Sequence, residues 1–208
     1  MKLVVLGANG RTGRLVLEAA LKKEIDVTAV VRSADKTPGT EHEKLQVAVG
    51  DPCDSAFLAS VFRGHDAVIS TLGGRLPTKA ATSVYARSAD AIVRAASSTD
   101  IKRILVTSTA LLFPDQTFLG KVLRVVVPNV VRSAGHMEDI LKDSGLDWTS
   151  ARAGFLQDSG VAAYRAQRNA LPENGSSVSR TGLANFLIDA LMDPETKGAA
   201  YGVSQPDQ

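Results

Sequence analysis

Short apolar runs alternate along the whole chain with segments in which apolar residues recur every three or four positions. The runs lie at 3–6, 27–31, 45–49, 67–70, 103–107 and 147–152. The first run, Leu3 to Leu6, is apolar on both faces, which is typical of a central parallel strand. The segments between the runs have the spacing of amphipathic helices. This regular alternation predicts parallel strands joined by right-handed crossover helices.

Capping and turn residues indicate where the helices begin and end. The first helix follows a glycine-rich turn. The expected caps of the later helices are Asp54, Ser83, Ser133 and Ser179. The last helix should stop at Asp193-Pro194, and residues 199–203 predict an additional edge strand. Segment 113–131 fits the pattern less well, and we expect it to fold over the edge of the ligand site. No repeat or linker interrupts the chain, so residues 1–208 predict a single doubly wound α/β (Rossmann) domain with a mostly parallel sheet.

Composition narrows the class of protein. Hydrophobic residues make up 44% and charged residues 22% of the chain, as in globular proteins. The formal net charge of +2 is too small to indicate nucleic-acid binding. The one cysteine, Cys53, excludes an internal disulfide and suits a reducing compartment. With no signal peptide or membrane-spanning stretch, we expect a cytoplasmic protein with no membrane partner and no metal site.

The strongest motif is the turn Gly7-Ala8-Asn9-Gly10-Arg11-Thr12-Gly13, directly after the first strand. Gly7 permits the sharp turn, Gly10 lets a phosphate approach the backbone, and Gly13 lets the helix pack on the strand. The helix that follows offers free N–H groups and a positive dipole end to an anion. Glycines alone could serve the turn only, but their place after the first strand of an alternating pattern favours a dinucleotide pyrophosphate.

The end of the second strand indicates which dinucleotide binds. An acidic residue there would accept hydrogen bonds from a ribose diol and repel a 2′-phosphate. This chain has Arg32 and Ser33 instead, a planar cation and a hydroxyl that suit a phosphate. The guanidinium of Arg11 could also contact the 2′-phosphate. The alternative is that Arg32 is only a solvated charge, but its position favours NADP(H).

Taken together, several motifs resemble the atypical short-chain dehydrogenase/reductases. More narrowly, the chain is similar to the NAD(P)-binding group that includes type-B biliverdin/flavin reductases and NmrA-like proteins. The residues that carry the resemblance are the glycine turn, Arg32, Gly50-Asp51, Ser70-Thr71-Leu72-Gly73, Val106-Thr107-Ser108, Ser144-Gly145-Leu146-Asp147-Trp148-Thr149 and Arg152-Ala153-Gly154. They span nearly the whole chain and do not specify a substrate.

This resemblance implies a row of contacts with the cofactor. They are Asp51 at the adenine edge, Thr71, Leu72 and Gly73 along the adenosine ribose and pyrophosphate, Thr107 and Ser108 beside the nicotinamide ribose and the substrate, and Ala153, Gly154 and Phe155 behind the nicotinamide. Two alternatives remain open: Asp51 could cap the next helix, and 71–73 could be a simple strand-end turn. The family usually has proline where Ala153 stands.

The chain departs from the family in its catalytic pair. Typical members use Tyr-x-x-x-Lys, in which the lysine lowers the pKa of the tyrosine so that it can act as an acid. No tyrosine of this chain is followed by such a lysine, and the two positions fall near Val130 and Ala134. The remaining candidates are Ser108, as a hydrogen-bond donor, and His136, which titrates near neutrality but could equally be a surface histidine.

These features favour an NADPH-dependent reductase acting on a flavin, quinone or similar conjugated acceptor. Such acceptors take hydride directly and can take their proton from solvent, so no tyrosine acid is required. The alternative is an NmrA-like sensor that distinguishes NADP from NADPH without catalysis and acts on a regulatory protein partner. An epimerase or dehydratase is disfavoured, because the chain lacks both the pair and a substantial substrate domain.

Overall fold

The alternation of strand and helix is present in the computed structural model, which describes residues 1–37, 39–74, 77–114 and 118–206. The strands are β1 Lys2–Leu6, β2 Asp26–Val31, β3 Leu45–Val49, β4 Ala67–Ser70, β5 Arg103–Thr109, β6 Asp147–Ala153, β7 Phe155–Gln157, β8 Arg165–Arg168, β9 Ser177–Ser179 and β10 Ala199–Ser204. The helices are α1 Arg11–Lys22, α2 Ser55–Phe62, α3 Lys79–Thr82, α4 Val84–Ala96, α5 Phe118–Val126, α6 Pro128–Lys142 and α7 Arg180–Met192. Short 3-10 helices lie at Ala34–Lys36, Ala110–Leu112 and Pro194–Thr196.

Eight strands form one sheet in the order β3-β2-β1-β4-β5-β6-β10-β8. All neighbours are parallel except β10 and β8. The chain runs outward from β1 to β3 on one side and then from β4 to β6 on the other. The carboxyl ends of β1 and β4 therefore border the crevice where doubly wound folds bind their ligands. The prediction of a doubly wound α/β domain is confirmed.

Helices cover both faces of this sheet. Helices α1 and α7 pack together on one face, over a core that includes Leu3 and Val5 of β1. Helices α2, α4 and α6 pack on the other face, over Val4 and Leu6. Burial of β1 on both sides accounts for its continuous apolar sequence.

One predicted helix start is wrong. Helix α6 begins at Pro128, five residues before Ser133, because a proline is tolerated in the first turn of a helix, where its missing N–H would have had no partner. Ser133 lies inside this helix, and its hydroxyl contacts Thr82 of α3 at 3.4 Å. Ser83 does precede α4, but its hydroxyl donates to Ala80 O instead of capping. Ser179 caps α7 as predicted, by accepting from Gly182 N.

The strand predicted at 199–203 is present as β10, but it is not an edge strand. Strand β10 has β6 on one side, and the antiparallel β8 covers its other side. The sequence of β8 is Arg-Ala-Gln-Arg, which has no apolar run to mark it. A polar sequence suits an edge strand, because charged side chains discourage further strand pairing. Strands β7 and β9 form a separate parallel pair.

Residues 115–117 of the irregular segment 113–131 lie outside the described residues. The rest comprises α5 and the beginning of α6, with α5 packed beside Ala110–Leu112, just beyond the carboxyl end of β5. Among the described residues, no helix combines the length and apolar character needed to cross a bilayer. The same residues contain no group of three or more potential metal ligands among His, Cys, Asp and Glu.

Candidate functional site

The glycines of the turn between β1 and α1 have different roles. Gly7 has a φ of +78°, which side-chain-bearing residues rarely adopt, and its carbonyl accepts from Gly10 N at 2.8 Å. A Cβ on Gly13 would lie 2.2 Å from Gly7 O, so this position must be glycine for the turn to close. A Cβ on Gly10 would have only Gly7 O, at 3.1 Å, within 4 Å. The turn itself therefore requires Gly7 and Gly13, whereas Gly10 leaves open space in front of the helix.

The first turn of α1 keeps its amide groups available. Gly10 is the N-cap, no side chain caps the helix, and the first turn has no acidic residue. Asn9 accepts from the guanidinium of Arg14 instead of from the helix amides. The hydroxyl of Thr71, at the end of β4, donates to Leu6 O at 3.1 Å and so fixes β4 against the turn. This arrangement suits a phosphate at the helix N-terminus.

Arg32 lies exposed at the carboxyl end of β2, next to the end of β3. Within the described residues, no carboxylate oxygen lies within 4 Å of its guanidinium. Asp51 accepts from Cys53 N at 2.9 Å, in the loop before α2. The cap of α2 is Asp54, so the alternative role of Asp51 as a helix cap is not found.

A second cation lies near this end of the site. Burial and the carboxylate of Asp51 raise the pKa of the Cys53 thiol, while Arg87 and Arg32 oppose that increase. Both guanidinium groups are therefore within electrostatic range of Cys53. Arg87 is exposed on α4, far from Arg32 in sequence, and the sequence analysis missed it.

Ser33 and Asp35 continue the same loop. The Ser33 hydroxyl and the Lys36 ammonium hold the pKa of the Asp35 carboxyl below its usual range. Lys36 also pairs with Asp35 at 3.3 Å. Asp35 is the acidic residue nearest to Arg32 in the sequence, and it is thus already paired with other groups.

Tyr85 of α4 supports the loop that follows β4. A Cβ on Gly73 would lie 3.2 Å from the Tyr85 hydroxyl, and the backbone of Gly74 hydrogen-bonds to that hydroxyl. Burial raises the pKa of Tyr85, so this tyrosine stays protonated. Thr71 and Leu72, on the same loop, are half-buried beside the glycine turn.

Thr107 and Ser108 end β5 beside the same crevice. The Ser108 hydroxyl is buried and, within the described residues, has no hydrogen-bond partner. Ser108 is paired in register with Arg152 of β6, and Thr107 with Ala151. Directly paired residues of parallel strands project to the same face of a sheet. Ser108 and Arg152 therefore share the face that α6 covers.

Arg152 forms an ion pair with Glu138 of α6. Its Nε and Nη2 donate to the two carboxylate oxygens at 3.0 and 2.6 Å, and Ser150 donates to the same carboxylate at 2.7 Å. The Glu138 side chain is 1% exposed and that of Arg152 13% exposed. The guanidinium carbon of Arg152 lies 4.6 Å from the ring centre of Phe113. This buried pair was not anticipated from the sequence.

Residues 153–155 lead from β6 into β7. A Cβ on Gly154 would lie 2.1 Å from Ser176 O, so the close approach of the two segments requires glycine here. Phe155 N donates to Ser176 O at 2.9 Å, and its side chain is 53% exposed. Ala153 is buried. Phe155 thus presents an open aromatic face near the carboxyl edge of the sheet.

An arginine–aspartate–arginine bridge joins this region to the glycine turn. Asp158, after β7, pairs with Arg11 at 2.8 Å and with Arg180 of α7 at 2.5 Å. Arg11, which we expected near Arg32, has its guanidinium on Asp158 instead, and both of these side chains are largely exposed.

The residues at the positions expected for catalytic acids differ in their exposure and in their ability to titrate. His136 is exposed on α6, about 200° around the helix from the fully buried Ala134. The structure therefore does not bring His136 together with Ser108. Ala134 and Val130, where the tyrosine–lysine pair would stand, offer no titratable group.

The residues around the buried pair of Glu138 and Arg152, which the sequence analysis missed, left weak signals in the sequence. Glu138 lies between Met137 and Leu141 in the apolar stripe of α6, a position where a lone carboxylate would be costly. Ser150 and Arg152 alternate on an otherwise buried strand and so share one face. Neither signal identifies a partner, because pairing across elements depends on the tertiary structure.

The whole fold is similar to several solved structures. ChuY, an anaerobillin reductase from Escherichia coli O157:H7, is 25% identical with a TM-score of 0.80, covering 100% of this chain and 98% of that one. SP1627 of Streptococcus pneumoniae, whose name proposes an NADH-flavin reductase, is 22% identical with a TM-score of 0.78, covering 99% of this chain and 100% of that one. The oxidoreductase ylbE of Lactococcus lactis is 18% identical with a TM-score of 0.84, covering 100% and 92%.

Comparison with known sequences also finds a relative and a matching protein family. The uncharacterized protein YwnB of Bacillus subtilis is 23% identical over 215 residues, covering 98% of each chain. The model of the NAD(P)H-binding family matches residues 7–194, from the glycine turn to the end of α7. The resemblance to the atypical short-chain dehydrogenase/reductases is confirmed, and the chain belongs to the NAD(P)H-binding family.

Proposed function

We propose that this protein is an NADPH-dependent reductase of flavins, quinones or similar conjugated acceptors. The observation that carries the choice of NADPH is Arg32, exposed at the end of β2 with no carboxylate within 4 Å among the described residues. A free guanidinium at this position attracts a 2′-phosphate, and Arg87 adds a second positive charge nearby.

The residues present fit a dinucleotide. The pyrophosphate would lie on the amides at the start of α1, in the open space before Gly10. The adenosine would extend past Thr71, Leu72 and Gly73 toward Asp51 and the pair Arg32 and Ser33. The nicotinamide would lie beside Thr107 and Ser108, backed by Ala153, Gly154 and Phe155. These roles are proposals that follow from the family resemblance and the position of each residue.

The proposed class of acceptor follows from the absence of the tyrosine–lysine pair. With Val130 and Ala134 in place of the tyrosine and the lysine, the chain lacks the pair that supplies the proton in the reduction of a simple ketone. When bound, the dihydronicotinamide supplies hydride from its C4–H bond and is oxidised, while the acceptor is reduced by two electrons and takes its proton from solvent. The exposed ring of Phe155 suits a flat acceptor. The names of ChuY and SP1627 support a role in reduction.

Cofactor binding is tested by titrating NADPH, NADP+, NADH and NAD+ against three variants. Arg32→Ala should weaken NADPH by about 1.5–3 kcal/mol, roughly 10- to 100-fold, and leave NADH nearly unchanged. Gly10→Ala should fold, since Gly10 has a φ of −72° and its Cβ would press only on Gly7 O at 3.1 Å, but it should lose cofactor by filling the phosphate approach. The control Arg94→Ala removes another exposed arginine, one paired with Asp90 on α4. Equal weakening of NADPH and NADH in Arg32→Ala would contradict the proposed 2′-phosphate contact.

Activity is tested by following NADPH oxidation with a panel of flavins, quinones and simple ketones. We expect turnover with flavins or quinones and none with ketones. Tight NADPH binding without oxidation by any acceptor would contradict the reductase and favour an NADP(H) sensor with a protein partner.

A further inference from the structure

The carboxyl ends of β5 and β6 carry two donors that the fold does not use. The Ser108 hydroxyl is buried without a partner within the described residues. Within the described residues, Arg152 donates hydrogen bonds from Nε and Nη2, and its Nη1 donates no hydrogen bond. A buried hydroxyl without a hydrogen bond is costly to folding, and at the ligand-binding edge of the sheet a ligand can satisfy it.

The register brings these donors together. Ser108 and Arg152 are directly paired across β5 and β6 and project to the same face. Glu138 holds the guanidinium by its Nε–Nη2 edge, which leaves Nη1 on the other side of the group. Phe113 covers one face of the guanidinium at 4.6 Å. The side chain stays 13% exposed, so a small group can still reach it.

We propose that Arg152 and Ser108 form an oxyanion site for the acceptor, with Glu138 as the positioning residue of the guanidinium. This inference rests on the proposed reductase function and deepens it. An acceptor that has gained hydride but no proton carries negative charge on a conjugated oxygen. Fixed donors in a water-poor site stabilise such a charge strongly, because they need no reorganisation as it develops.

The site specifies the chemical class of the acceptor. A guanidinium is a poor proton donor, because its pKa lies far above neutrality. It stabilises an anion without protonating it. Only acceptors whose two-electron-reduced form is a delocalised anion, such as quinones and flavins, benefit from this arrangement. Simple ketones form a localised, strongly basic alkoxide and require a proton donor that this site lacks.

The first test uses two variants designed to fold. Ser108→Ala removes a hydroxyl that has no partner, so its melting temperature should stay the same or rise. Its kcat/KM for the quinone or flavin should fall about 100-fold, as on loss of one oxyanion donor, with unchanged NADPH affinity. The double variant Glu138→Leu/Arg152→Met replaces the ion pair by apolar side chains and should show a similar loss. The control Ser144→Ala, before β6 at the opposite edge of the sheet, should keep kcat/KM.

A second measurement does not depend on turnover. The probe is 4-nitrophenol, whose phenolate resembles the reduced acceptor and absorbs visible light. The wild-type protein should bind the phenolate and lower the apparent pKa of the probe, and both site variants should lose this effect. If the wild type does not shift the probe, or the variants shift it equally, the oxyanion site is wrong.

The two proposals can fail separately. Phenolate binding that depends on Ser108 and Arg152, without reduction of any acceptor, would leave the oxyanion site standing and contradict the reductase. Undiminished reduction of acceptors by both variants would leave the reductase standing and contradict the oxyanion site.

Discussion

Two arginines on neighbouring strands are both withdrawn from solvent, but their hydrogen bonds differ. Arg103 lies at the amino end of β5 and Arg152 near the carboxyl end of β6. Each terminal nitrogen of Arg103 has two acceptors. They are Asp147 O, Thr149 Oγ1, Ala190 O and Thr196 Oγ1, at 2.6 to 3.1 Å. Within the described residues, Arg152 binds one carboxylate through Nε and Nη2 and its Nη1 makes no hydrogen bond, and Ser108, which is paired with it in register, has a hydroxyl without a partner.

The difference separates an arginine that serves the fold from one that we propose to bind a ligand. Arg103 links β5 and β6 to the end of α7 through neutral acceptors, and burial lowers its pKa without leaving its terminal nitrogens open to a ligand. Arg152 is fixed on one edge and open on the other. Charge and burial are similar in the two cases. Arg103 Nε is also buried without a partner within the described residues, so the position of Arg152 at the ligand-binding edge of the sheet is what distinguishes it.

The largest effect should follow from breaking the buried pair on one side only. Glu138→Ala leaves the Arg152 guanidinium buried without its carboxylate and should cost about 3–5 kcal/mol of unfolding free energy. The double variant Glu138→Leu/Arg152→Met should regain most of that loss, since apolar replacement of both partners is often neutral. Urea denaturation of the three proteins measures the effect. A loss below about 1 kcal/mol in Glu138→Ala would contradict the burial assigned to this pair.

Removing the other arginine should affect stability alone. Arg103→Met eliminates four hydrogen bonds that join the amino ends of the strands to α7, and we expect a loss of about 2–3 kcal/mol. NADPH affinity, measured on the folded fraction below the melting transition, should not change. A weaker NADPH complex at unchanged stability would show that the amino edge contributes to the cofactor site.

A smaller effect is expected from the exposed bridge at the carboxyl edge. Asp158→Asn should lower the unfolding free energy by about 1–2 kcal/mol, because the exposed pair with Arg11 contributes little but the buried Arg180 keeps only a neutral amide oxygen as its partner. It should tighten NADPH binding about two- to threefold at low salt, because Arg11 is released and a negative charge near the phosphates is lost. Asp90→Asn, which breaks an exposed pair with Arg94, is the matched control. Equal affinity of both variants would exclude Arg11 from the cofactor site.

The smallest effect concerns His65, just before β4. Its Nε2 lies 2.9 Å from the Thr28 hydroxyl, and its Nδ1 is buried without a partner within the described residues. Burial lowers the pKa of His65 below its ordinary value, so the unfolded chain takes up the proton more readily. The stability that neutral His65 contributes is therefore complete above about pH 6.5 and falls as the pH drops below that value. Melting temperatures at pH 7.5 and 5.5 should differ less in His65→Gln than in the wild type, and equal differences would contradict this.

The sequence alone determined the order of the strands β1 to β6 and β10, the order of the helices α1, α2, α4, α6 and α7, and the place of the glycine turn. These features depend on local periodicity and on backbone demands, such as the positive φ of Gly7 and the close packing of Gly13, which a single residue type satisfies. The short strands β7 and β9 and the helices α3 and α5 were not predicted. Strand β8 was missed, because a polar edge strand has no periodic apolar pattern. The beginning of α6 was misplaced, because Pro128 and Ser133 are both acceptable helix starts in isolation.

Only the tertiary structure decided how the polar residues combine. Glu138, Arg152 and Ser108 come from three elements, and their meeting depends on the register of β5 with β6 and on the packing of α6. The same packing directs His136 to solvent, although its sequence position alone left the choice open. Periodicity fixes the face of an element on which a residue lies, but the partner on the facing element is set by long-range packing, which a single sequence does not encode locally.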